Sequence, residues 1–361
     1  MVPFRVGVLQ LSMEPVRETV AMARACDAAG FDTFWIAEAY PWWRKHGYEA
    51  RSSTSISALI AAETRRINVG WGIISPYTRH PVQIAMEARV LQDLCGERFL
   101  LGLGASKIFM KEIGESGAPG AGPATVMREG LEIIRGVLAG GAFRYQGKVF
   151  SADVPALKNE ARVLRGKTPI YFAGTGPVLQ KFAGSYTDGL LTASITTPEF
   201  CRYSRRNMEE GARKAGRDPA QLDLGAVIVG SIHRDSRRGK EGAREMAAMY
   251  LANKVQNIQG SADILLQSAG LTFDEIRPIA EAMERGGRKA AARAVTDAVF
   301  EKVKAIAGTP DECLARLEEY RQAGCTHIML ELWGDDRLEQ AKLFGEAVLP
   351  QLRGRPSTAP A

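Results

Sequence analysis

This 361-residue chain has few of the residues that usually advertise a reaction. It holds four histidines, His46, His80, His233 and His327; none stands four residues from another or within His-Glu-x-x-His, which excludes the usual zinc-hydrolase pattern. Its five cysteines, Cys26, Cys95, Cys201, Cys313 and Cys325, are far apart and form no Cys-x-x-Cys, so they read as free thiols in a reducing compartment. A Gly-x-Ser-x-Gly elbow is missing as well. No apolar run approaches the roughly 20 residues of a membrane span. The opening "MVPFRVGVLQLSMEPVRE" lacks the charged start and long apolar core of a signal peptide, so the expected location is the cytoplasm. Nor is there a block of one charge. Lys and Arg number 47 against 41 Asp and Glu, a net +6, and the signs mix as in "RRNMEEGARKAGRD". Such mixing reads as solvated helix faces, with a bias toward an anionic cofactor or substrate as the second reading. No basic run is interleaved with aromatics, so a small-molecule substrate is expected and nucleic acid is not.

What the chain does have is apolar residues, 45% of the total, distributed in a rhythm. Short apolar runs such as "RVGVLQL", "FDTFWIAE", "RFLLGLG", "TPIYFAG", "DGLLTAS", "LDLGAVIVGSI" and "THIMLELW" alternate with helical patterns. Pro15 suits the first turn of the first helix and Gly30 its stop. Strand then helix, repeated about eight times, argues for a parallel (β/α)8 barrel, with an open doubly wound sheet as the runner-up. The whole chain, 1–361, reads as one barrel domain with two interruptions. Residues 142–166 suggest a hairpin turning at "QG", before the fifth strand. Residues 253–306 carry helical patterns without a clear strand, an insertion before the last strand–helix unit. Insertions of this kind usually cover the catalytic end of a barrel. The tail 354–361 reads as disordered.

Three glycine-bearing stretches stand out. "VGWGIISPYTRHP", residues 69–81, starts as a buried strand yet places Gly70 and Gly72 around Trp71, which marks a bulge or a close approach. "GLGASK" exposes backbone N–H groups near Gly104 and Ser106, but Lys107 replaces the third glycine of a dinucleotide fingerprint. "AGTGP" is the sharpest. Gly174 and Gly176 let a backbone approach an anion, Thr175 adds a hydroxyl, and a helix start follows; the alternative is an ordinary tight turn.

Four blocks, "VGWGIISPYTRHP", "ERFLLGLGAS", "TPIYFAGTGPVLQKFAGSYTDGLL" and "AGTPDECLARLEEYRQAGCTHIML", resemble in order the bacterial-luciferase-like superfamily of luciferase-like monooxygenases and coenzyme F-420-dependent oxidoreductases. The nearest branch is the methylenetetrahydromethanopterin reductase-like one. The loop "AEAYPWWRKHG" instead resembles the F-420-dependent glucose-6-phosphate dehydrogenases. The resemblance implies hydride transfer between the deazaflavin F-420 and a small organic substrate, by a homodimer. It also implies a cis peptide at Gly72–Ile73 with Ile73 behind the ring, and cofactor contacts from Gly104, Ser106, Gly174, Thr175 and Gly176. Glu38 matches an acid that contacts the deazaflavin, and a structural ion pair is its other reading. Trp43 matches an aromatic of the substrate pocket, with packing against the insertion as its other reading; His46 in the same loop is the candidate proton-transfer residue by its chemistry, with an incidental loop histidine as its other reading. Departures are clear: Glu38-Ala39 stands where the dehydrogenases have Asp-His, and Leu9-Gln10 where the reductases carry an acid. Two alternatives remain open: an FMN-dependent monooxygenase fed by a partner flavin reductase, and a flavin-binding barrel without catalysis.

Overall fold

The computed structural model describes residues 2–38, 49–105, 121–156, 168–256 and 261–354. Within them the chain runs β1 (Arg5–Leu11), α1 (Val16–Ala29), β2 (Thr33–Ala37), α2 (Ser53–Glu63), β3 (Asn68–Ile74), α3 (Pro81–Cys95), β4 (Phe99–Gly104) and α4 (Pro123–Ala139). A hairpin of β5 (Phe143–Gln146) and β6 (Ser151–Val154) follows. Next come β7 (Ile170–Ala173), α5 (Pro177–Tyr186), β8 (Gly189–Leu191), α6 (Pro198–Lys214) and β9 (Asp223–Ile232). Four helices then intervene: α7 (Ser236–Gln256), α8 (Ser261–Ser268), α9 (Phe273–Ala294) and α10 (Asp297–Val303). The described residues end with β10 (Ile306–Gly308), α11 (Pro310–Gln322), β11 (His327–Leu332), α12 (Arg337–Ala347) and α13 (Leu349–Arg353).

The strands β1, β2, β3, β4, β7, β8, β9 and β11 pair in parallel and close, because β9 bonds both β8 and β11 while β11 bonds β1. The runner-up open sheet is thereby excluded. All ten residues of β9 are buried, as a strand covered on both faces must be. Proline opens α3, α4, α5 and α6, where a missing N–H costs nothing, and Gly30 ends α1 in the left-handed region at φ 86°.

Alternate residues of β11 point into the barrel and set its layers. At the floor, His327 joins Asp223, Arg5, Tyr171, Thr33 and Trp35 in one buried polar network. Asp223 can only accept, so the proton of His327 sits on Nδ1, 3.2 Å from the carboxylate. Nε2 then accepts from Thr33, 2.7 Å away, and Thr33 in turn accepts from the Trp35 indole at 3.0 Å. His327 is therefore a neutral structural residue. Above it Leu9, Trp35, Leu191, Val227 and Met329 fill the middle.

The helical insertion expected over 253–306 falls on the end of α7 and on α8, α9 and α10, and α7 joins them before that point, since Met246, Ala247, Tyr250 and Leu251 are buried in one cluster with residues of α9. A three-residue strand, β10, also falls at its end and pairs with the last residues of β9. Before β7, the hairpin is fastened to α4 by one carboxylate: Glu129 accepts from the N–H groups of Lys148, Val149 and Phe150 at 2.8–3.0 Å.

Candidate active site

A cavity of about 490 Å³ opens at the C-terminal ends of the barrel strands. Strand ends supply its floor and walls, and α7 of the insertion closes one side with Tyr250 and Lys254. A larger cavity of about 910 Å³ lies at the other end of the barrel. Of the arginines that line it, Arg205 is spent on the carbonyls of Leu222 and Gly324, and among the described residues no C-terminal strand end lines it. Barrel chemistry belongs to the C-terminal face, so the smaller cavity is the candidate.

β3 forms one wall. Between Trp71 and Ile74 it advances three residues while β4 advances two, from Leu101 to Leu103, which is a bulge. The Gly72–Ile73 peptide within it is cis, and both residues line the cavity. Gly104 clears a place for Ile73: a Cβ there would stand 2.8 Å from the Ile73 side chain. Gly70 has another purpose, since a Cβ there would meet the buried ring of Trp35 at 2.3 Å.

The loop after β7 forms the opposite wall, with Gly174 and Thr175 on the cavity. Gln180 holds this loop by donating to the carbonyls of Gly174 and Thr175, and is itself fixed by Ser204 and Asn207. The carbonyls are thus occupied from behind. Gly176 caps α5 with no side-chain hydrogen bond, and nothing lies within 4 Å of where its Cβ would be. An uncapped helix start with open space before it keeps its first-turn N–H groups available to an anion. These residues fit an anionic group such as the phosphate of a flavin-type cofactor.

The next loop, after β8, carries a local backbone anomaly. Ile195 adopts φ 65°, a region costly for a β-branched residue. Thr196 holds the turn: its hydroxyl donates to the Ala193 carbonyl at 2.6 Å and hydrogen-bonds the Thr192 hydroxyl at 2.7 Å. The result presents Thr192, Ala193 and Ser194 to the cavity.

Glu38, at the end of β2, also lines the cavity, and both of its oxygens are engaged by Arg79 at 2.7 Å. Arg79 further approaches Glu87, 3.7 Å away. Burial pushes the Glu87 carboxyl above its usual value against the pull of Arg79. Glu38 is therefore a fixed ion pair that faces the site. Trp43, His46 and Ser106 lie outside the described residues.

Three residues that the sequence reading missed complete the wall. Glu331, next to last in β11, is buried, and both carboxyl oxygens lie within 2.6–2.7 Å of the Tyr250 hydroxyl, which donates to them. Burial pushes the Glu331 carboxyl up to about 7, against the opposing hydrogen bond of Tyr250. Lys254, one turn beyond Tyr250, is half-buried, and desolvation lowers its ammonium to about 8. The signal was present in "HIMLELW": an acid inside an apolar strand needs a reason.

Residues 1–327 match the family described as luciferase-like monooxygenase. The chain is 28% identical to a 5,10-methylenetetrahydromethanopterin reductase of Methanopyrus kandleri, over 96% of this chain and 98% of that protein. An F-420-dependent glucose-6-phosphate dehydrogenase of Amycolatopsis mediterranei is 25% identical, over 93% of this chain and 95% of that one. Among solved structures, the coenzyme F-420-dependent tetrahydromethanopterin reductase of Methanopyrus kandleri superimposes with a TM-score of 0.84 at 28% identity, covering 97% of this chain and 99% of that chain.

Proposed function

The chain belongs to the luciferase-like monooxygenase family, and from that premise we propose that it transfers a hydride between the deazaflavin F-420 and a small organic substrate. The carrying observation is the pairing of two walls: the bulge of β3 with Ile73 on one side, and the uncapped, open start of α5 on the other. Likeness over nearly the full chain to F-420-dependent enzymes supports the same cofactor. When bound, the deazaflavin supplies two-electron hydride chemistry. The protein's own part is to hold and orient it and to manage one proton.

In this reading Gly174, Thr175 and Gly176 receive the cofactor phosphate, Ile73 backs the ring, and Gly104 and Ser106 border it. Glu38, fixed by Arg79, faces the cofactor as a charged wall. Trp43 and His46 belong to the substrate side. The protein acts as a cytoplasmic homodimer, which light scattering and fractionation test directly.

Fluorescence quenching of F-420 and of FMN, each titrated with purified protein, tests the cofactor assignment. Saturable F-420 binding at micromolar concentration is expected. Binding of FMN alone would replace the reading with a monooxygenase, and binding of neither would leave a barrel without this chemistry.

A further inference from the structure

We propose that Glu331 is the acid–base residue of this site, giving a proton to the substrate on reduction and taking it back on oxidation, with Tyr250 as the positioning residue. The proposal rests on the hydride-transfer reading above and assigns the proton that reading leaves unplaced.

The geometry is built from three elements. On β11, His327, Met329 and Glu331 share the inward face; the first belongs to the floor network, the second to the middle layer, and the third reaches the cavity. The C-terminal end of a barrel strand is where catalytic side chains stand. Tyr250 of α7 meets both Glu331 oxygens at 2.6–2.7 Å, which fixes the carboxyl plane at the cavity wall. Among the described residues, the groups facing Glu331 are few. Leu9 and Leu11 come from β1, Val227 and Val229 from β9, and Tyr250 with Lys254 from α7; Glu38 shares the cavity but is taken up by Arg79. Among the described residues no cation pairs with Glu331, so burial at the cavity wall favours its protonated form. Glu38 is the contrasting case. Both of its oxygens are taken up by the Arg79 guanidinium at 2.7 Å, so it offers the cavity an ion pair rather than a free carboxyl.

The electron and proton count closes. Hydride adds to one substrate atom, and the electron pair of the broken π-bond remains on its neighbour. That pair forms a new bond to the Glu331 proton as the carboxyl O–H breaks. Substrate is reduced by two electrons, the hydride donor is oxidised by two, and Glu331 is left as a carboxylate that water reprotonates through the open mouth.

The experiment has a cofactor-free arm and a kinetic arm. Infrared difference spectra of the apoprotein, titrated from pH 5 to 9, should show a protonated carboxyl band lost with a midpoint near 7. Glu331→Gln should lack the band. Tyr250→Phe should move its midpoint upward, since the hydroxyl favours the charged carboxylate. In the kinetic arm, reduced F-420 is offered with acetone, whose carbonyl supplies the π-bond of that step. Glu331→Gln should lower kcat by about 100-fold or more, the scale of general acid catalysis, with F-420 affinity within two-fold of wild type. Tyr250→Phe should shift the kcat–pH profile in the direction of the infrared midpoint. A folded Glu331→Gln protein with the wild-type band, or with kcat within about three-fold of wild type on an acceptor that wild type reduces, would overturn the proposal. Failure of wild type to bind F-420 would overturn the underlying reading instead, and leave the infrared result standing, so the two failures separate.

Discussion

The ring of Trp35 occupies the place where a Cβ on Gly70 would sit, with only 2.3 Å between that point and ring carbon Cε3. Trp35 is fully buried and cannot retreat: Tyr171 packs edge-on at 5.4 Å between centroids, and Thr33 and His327 hold its indole N–H. The glycine in this strand is thus the complement of a tryptophan on the neighbouring strand. Gly70→Ala should cost about 1–3 kcal/mol, the range for overpacked cores. Guanidinium unfolding measures it, and a variant as stable as wild type would mean that the ring has room to move.

The loop after β7 separates binding from folding. Gly176→Val meets open space and should keep the wild-type melting temperature while weakening F-420 binding. Thr175→Ala should weaken it by about 1 kcal/mol, one hydroxyl hydrogen bond. Gly174→Ala, by contrast, would press on Leu179 at 2.8 Å and should lose stability too. Equal F-420 affinity in the first two variants would place the phosphate elsewhere.

Arg79 stands between two carboxylates, and its removal strands both. Arg79→Met should destabilise the fold by about 1–3 kcal/mol, the cost of an unsatisfied polar group, tempered by the partial exposure of both partners. Adding Glu38→Gln should restore part of that loss. A double-mutant cycle on thermal unfolding is the check, and strictly additive losses would show that the two residues act independently.

The floor network makes stability fall in acid. Burial lowers the pKa of His327 below its ordinary value near 6.5, so below that pH the unfolded chain takes up a proton that the folded chain refuses. Asp223 adds to this at lower pH: burial opposes its charge, but His327, Arg5 and Thr326 outweigh it and hold the carboxyl well below the usual range. Its contribution is complete above about 4 and is lost as pH falls through the depressed value. Glu331 acts in the opposite sense, losing stability as pH rises from about 4.3 toward 7. In a Glu331→Gln background, the urea midpoint should therefore drop between pH 7.5 and 5.5, and a further His327→Asn change should flatten that drop. An unchanged slope would remove His327 from the account.

The sequence by itself determined the order of the barrel. Eight apolar runs at strand length, with helical periods between them, specify strands and helices through local spacing alone, and each run became a barrel strand. It also marked the β3 bulge, because glycine is visibly out of place in a buried strand, and the helix start at Gly176. Tertiary structure decided the partners. Gly70 answers to Trp35 on the next strand, Glu38 to Arg79 at a distance of 41 residues, and Glu331 to Tyr250 on a helix inserted 81 residues earlier. Periodicity reports which face a residue shows, but not what stands across from it. That is set only when the strands close into a barrel and the insertion folds over its mouth, at which point a solitary glutamate in an apolar strand becomes a buried acid hydrogen-bonded to Tyr250.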